Sequence, residues 1–154
     1  MVRLAGVGLE AGDTMSMKLE LSPASDFLKV RVTGEFSLAE ARRTFLEMLG
    51  GVAQHKVQKV LFDGRGITGE PSTMERFYHG EFAAKAVVSF ATRGVSRATR
   101  FAYVLQEPVL DSRRFGETVA VNRGMFVRAF DNLEDALAWL ELVPASKPTA
   151  GNDE

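Results

Sequence analysis

The chain contains no cysteine. That excludes a disulfide framework, a thiolate nucleophile and any zinc–thiolate site. Its two histidines, His55 and His79, are too few for a multi-histidine metal centre. Charge of one sign is also lacking: a formal net charge of −1 argues against a protein that coats nucleic acid by bulk electrostatics. Long hydrophobic runs are missing too. No stretch approaches the length needed to span a bilayer. Met1 to Ser16 is an apolar run broken by glycines and by Glu10 and Asp13, without a continuous signal-peptide core or a convincing cleavage site. A cytoplasmic chain is therefore expected. No nucleophile–base pair is brought together by spacing, so the expectation is a protein that is not an enzyme and holds no cofactor or metal.

What is present is enough apolar sequence, over 154 residues, for one domain with its own core. Residues 1–16 read as an N-terminal extension, 17–143 as the domain and 144–154 as a polar, frayed tail. Met15 and Met17 stand just before the first patterned segment, leaving Met1, Met15 and Met17 open as translation starts.

Lys18 to Leu21 and Phe27 to Thr33 alternate with period two and flank the turn cluster Ser22-Pro23-Ala24-Ser25-Asp26, which predicts an antiparallel hairpin. Ser37-Leu38-Ala39-Glu40 is a capping box, and Gly50-Gly51 offers an end to the helix that follows. Lys59 to Phe62 is a compact strand, ending where the glycines of Asp63-Gly64-Arg65-Gly66 predict a loop. Ser72-Thr73-Met74-Glu75 opens a second helix, running to Thr92, that Gly80 offers to divide. Phe101 to Leu105 is a strand. Asp111 or Ser112 caps a short helix closed by Gly124, Met125 to Phe130 is the last strand, and Asn132 caps the last helix. The order β-β-α-β-α-β-α-β-α implies an α/β fold, with a mixed, mostly parallel sheet covered by about four helices.

That order resembles the STAS domain, and within it the SpoIIAA-like branch, a relative of the CRAL-TRIO lipid-binding domains. The resemblance rests on Lys59-Val60-Leu61-Phe62-Asp63 before a glycine-containing segment and a helix. It rests also on the ending Val127 to Leu140, with its capped turn, acidic helix start and Ala-Trp-Leu core. It implies a regulatory binding domain similar to anti-sigma factor antagonists, with a protein partner. The alternative it implies is an apolar or lipid-like ligand with reversible membrane association.

In the phosphorylated antagonists a serine at this helix start acts as a switch. The resemblance thus implies a partner or phospho-switch surface at Asp63, Arg65, Ser72 and Thr73. Here Glu70-Pro71-Ser72-Thr73-Met74 lacks the Asp-Ser pair and the following glycine, and Ser72 is equally a plain helix cap. The second helix is apolar nearly all round after Gly80. It is a core helix, a homodimer face, or an apolar-ligand or membrane surface built on Phe77, Phe82, Val87 and Phe90. Arg93, Arg97 and Arg100 follow it in an arginine-rich stretch that offers contacts to an anion, or only a solvated surface. Gly6-Val7-Gly8 with Gly12 fails the strand-and-helix context of a dinucleotide loop. His79 reads as a surface residue and Asp63 as a loop cap.

Overall fold

Alternation sets the first two elements. In the computed structural model, which describes residues 16–142, Met17–Pro23 (β1) pairs antiparallel with Leu28–Glu35 (β2). Leu28, Val30 and Val32 are fully buried, and Arg31 between them is exposed. The extension before Ser16, with its glycine-rich Gly6-Val7-Gly8, and the tail after Leu142 lie outside the described residues.

Helix α1 (Leu38–His55) starts as its cap predicts, with Ser37 Oγ accepting from the Glu40 amide at 3.1 Å. The box is half made, because the Glu40 carboxylate turns to Arg43 and to the Met17 amide. The helix also runs through Gly50-Gly51, where the sequence pointed to an end. It stops at Lys56, whose left-handed backbone (φ 55°) sends its N–H to the Val52 carbonyl. Gly51 serves packing instead: a Cβ there would stand 3.0 Å from Leu21 and 3.2 Å from Leu28.

Strand β3 (Lys59–Thr68) is longer than its apolar run, and Asp63-Gly64-Arg65-Gly66 lies inside it rather than in a loop. Arg31 pairs with Asp63 but Thr33 pairs with Gly66, so β3 carries one extra residue there, a β-bulge. The glycines allow close approach. Added Cβ atoms would fall 2.6 Å from Leu105 at Gly64 and 2.7 Å from Thr33 at Gly66.

Helix α2 (Thr73–Ser89) and a 3-10 turn (Phe90–Arg93) lead to β4 (Arg100–Val104). Then come α3 (Phe115–Asn122), β5 (Phe126–Phe130) and α4 (Leu133–Trp139). The five strands are ordered as in the chain, and all pairs after the first are parallel. The α/β architecture is the expected one. α1, α2 and α3 share one sheet face, where Phe45, Val60, Phe62, Ala83, Val87, Phe101 and Ala120 form the main core. α4 packs mainly against β4 and β5 on the other face, over Ala102 and Val104 of β4 and Leu61 of β3.

Gly80 does not divide α2. It is the point where α3 docks: a Cβ at Gly80 would lie 2.6 Å from the Gly116 carbonyl oxygen. The helices therefore meet backbone to backbone. Gly80→Val should lower unfolding free energy by about 2 kcal/mol or more, through overpacking against a carbonyl that cannot rotate away. Gly50 has nothing within 4 Å of its Cβ position. Gly50→Ala should raise stability by about 1 kcal/mol through helix propensity. Urea unfolding of both variants checks the contrast.

Candidate functional site

The start of α2 stands beyond the carboxyl end of β3, where ligands and partners gather on open α/β sheets. Ser72 closes a full capping box: its hydroxyl accepts from the Glu75 amide at 3.1 Å, and Glu75 accepts from the Ser72 amide at 2.9 Å. Ser72 and Thr73 are exposed. So are Met74 and Tyr78, one turn apart, at 54% and 43% exposure.

Asp63 and Arg65 are not part of that surface. Phe62 packs into the core beneath α1 and α2, and Leu61 into the cluster beneath α4. Asp63 alternates with Phe62 and so projects from the opposite sheet face. There it is 5% exposed. Its carboxylate accepts from Arg65 Nε at 3.0 Å and Arg65 Nη2 at 2.9 Å, and Arg31 Nη2 lies 3.9 Å away. Hydrogen bonding from Arg65 holds the carboxyl below its ordinary range. Asp63 also accepts from the Arg65 amide at 3.2 Å. It is thus an ion-paired strand residue bracing the bulge, in place of the expected loop cap.

The apolar set divides as well. Val87 and Phe90 are core residues, 4% and 9% exposed, which removes them from any membrane or ligand surface. Arg93 covers the Phe90 ring with its guanidinium 4.5 Å from the centroid. Phe77 and Phe82 are partly buried. Phe82 packs between Phe45, His79 and Arg42, whose guanidinium stands 5.3 Å from its ring centroid. Of the three candidate anion contacts, Arg93 and Arg97 are exposed. Arg100 is engaged, donating to the Trp139 carbonyl at 2.8 Å and lying 3.7 Å from Glu141.

His79 is partly buried rather than fully exposed. Its ring meets Phe45 edge-on at 5.9 Å, and its buried Nδ1 has no hydrogen-bond partner among the described residues. Desolvation, with Arg42 beside it, lowers its pKa to about 4, so the imidazole is neutral. Beneath it lies a cavity of about 170 Å³, with Phe45, Phe62, Ala83, Tyr103, Leu105 and Ala120 among its lining. The cavity escaped sequence reasoning, since its walls come from seven helices and strands and from the loops between them. The paired small residues Gly80 and Gly116 were the one signal that the helices above it approach closely.

Against known families, residues 27–141 match the SpoIIAA-like family model. The chain belongs to the SpoIIAA-like family. Comparison with curated proteins gives no match. Among solved structures, this SpoIIAA-like chain is similar to an anti-sigma factor antagonist from Mycobacterium paratuberculosis. That likeness has a TM-score of 0.53 at 18% identity, covering 86% of this chain and 99% of that one. It is also similar to the anti-sigma factor antagonist SpoIIAA in its unphosphorylated form, with a TM-score of 0.50 at 10% identity over 80% and 96%. At these identities the likeness shows a shared fold. No helix among the described residues is long and apolar enough to cross a membrane, and they hold no cluster of metal-ligating side chains.

His79 makes stability depend on pH. Its folded pKa of about 4 lies below the unfolded 6.5, so the unfolded chain binds the extra proton between those values. Its contribution is complete above pH 6.5 and is lost as pH falls toward 4. Because part of the residue reaches the surface, the loss should be about 2 kcal/mol. Urea unfolding across this window should show wild type losing stability relative to His79→Leu on acidification. A constant difference would place a charged imidazole in the folded state.

Proposed function

We propose that this SpoIIAA-like domain is a regulatory protein that works by binding another protein, with the start of α2 as the contact surface. The observation that carries the reading is the exposure of Met74 and Tyr78 directly after a rigidly capped helix start. Large side chains at i and i+4 present one stripe, and an ordered backbone means little conformational entropy is lost on docking. Membership of the family and the shared fold with two anti-sigma factor antagonists support a binding role over catalysis. Ser72 would regulate the surface locally. A phosphate on its hydroxyl would face the Glu75 carboxylate that now closes the capping box, loosening the first turn by like-charge repulsion. Arg65 and Asp63 take no part in this contact, being on the far side of the sheet.

A second reading has its own support. The cavity beneath α2 is apolar and of a size to hold a small molecule. It favours an apolar ligand held inside the domain over a membrane surface, because Val87 and Phe90 are already spent on the core.

A partner isolated with the wild-type protein should bind Met74→Asp/Tyr78→Asp at least about thirtyfold more weakly, the loss of about 2 kcal/mol typical of a central interface residue. Circular dichroism should stay unchanged and the urea midpoint should move little, since both side chains are about half exposed. Ser72→Asp should also weaken the complex, and Ser72→Ala much less. Surface plasmon resonance reads these ratios. A complex indifferent to the double substitution would move the contact elsewhere on the domain.

A further inference from the structure

The cavity lies between α2, α3 and the carboxyl ends of β3 to β5, and its chemistry narrows what it can hold. Its size, about 170 Å³, is close to that of an engineered apolar cavity of ~150 Å³ that binds benzene. Its walls offer a flat aromatic surface. Phe62 and Tyr103 stack at 4.1 Å between centroids with 16° between planes, and Phe45 lines the same space.

Five charged residues also line it, and each is already engaged. Glu75 accepts from the Ser72 amide, and Arg76 donates to the Val109 and Pro108 carbonyls at 2.7 and 2.8 Å. Asp111 accepts from the Phe115 amide at 2.9 Å, Arg114 donates to the Ala129 carbonyl at 2.8 Å, and Glu117 accepts from the Ala129 amide at 3.3 Å. These bonds hold together the loops and helix ends around the cavity, so the charges serve the wall. The rest of the lining is mainly apolar and aromatic, so an ion lodged against it would give up its hydration for little in return, which disfavours charged ligands. The two remaining ionisable groups of the wall, Tyr103 and His79, are uncharged: burial pushes the Tyr103 phenol up and the His79 imidazole down to about 4.

We propose that this cavity is a binding site for a neutral, single-ring aromatic molecule lodged beneath α2. The inference rests on the apolar-ligand reading above and names the class of ligand. Glu75, Arg76, His79, Gly80 and Ala83 place α2 over the space. An occupant would therefore stiffen the helix whose first two turns carry Met74 and Tyr78, and so link small-molecule binding to the partner surface.

Fluorine NMR of the full chain with 4-fluorotoluene tests this without any partner. Saturable binding is expected. 4-Fluorobenzoate, an anion at neutral pH, should bind at least about tenfold more weakly, and the flexible chain of trifluorohexanol should also bind more weakly than the ring. Amide shifts on adding 4-fluorotoluene should centre on Ala83, Gly116 and Ala120, and exchange of α2 amides should slow. Ala120→Phe, which fills the space, should abolish binding. If that variant fails to fold, the wild-type amide shifts decide. Equal binding of the benzoate, or shifts centred away from these residues, would overturn the proposal. Saturable binding of trifluorohexanol with none of the ring would overturn the aromatic assignment alone. Binding of neither would overturn the apolar-ligand reading with it.

Discussion

The contact between Gly80 and Gly116 is the constraint on which the upper half of the domain depends. With no side chain at either position, α2 and α3 approach until backbone meets backbone. Elsewhere along the pair, side chains hold the layers apart, and the space above the ends of the parallel strands is left unfilled. A larger residue at 80 would part the helices and release the loop 105–114 that Arg76 ties to α2 through two backbone carbonyls. The helix start, the cavity and that loop are thus one mechanical unit, fastened where side chains are smallest.

The two sheet faces divide the labour. One carries three helices and nearly all of the large buried side chains. The other is half covered, and its polar side chains pair among themselves: Arg31, Asp63 and Arg65 form a short charged row across β2 and β3. The bulge in β3 makes this possible. One extra residue reverses the alternation after Arg65, so Asp63 and Arg65 face outward on one side while Ile67 returns to pack against the main core. Without it, either the arginine or the isoleucine would point the wrong way.

Periodic features were legible in the residues; features that depend on neighbours distant in the chain were not. The period-two pattern of Leu28, Val30 and Val32, the hydroxyl caps at Ser37 and Ser72, and the Asn132 cap all appear where local chemistry places them. Several glycines were misleading, because a glycine that ends a helix, as Gly124 does after α3, and one that admits another chain segment look alike in one dimension. Gly51, Gly64, Gly66 and Gly80 are all of the second kind. The same limit governed the site. Asp63 and Ser72 are close in sequence yet separated by the sheet, a division set by the strand running on to Thr68. His79, a lone helical histidine with no serine or cysteine partner, read as a surface residue, but Phe45 comes from α1 to cover part of it.

Among the described residues, strand β1 lies at one border of the sheet, bonded only to β2. Its outer backbone groups are a template on which another extended chain could add. Lys18 and Glu20 project into water along it, and Pro23 closes its far end. Any strand approaching that border would have to desolvate two ions and would meet a residue without an N–H. These residues oppose edge-to-edge pairing at a border that no helix covers among the described residues.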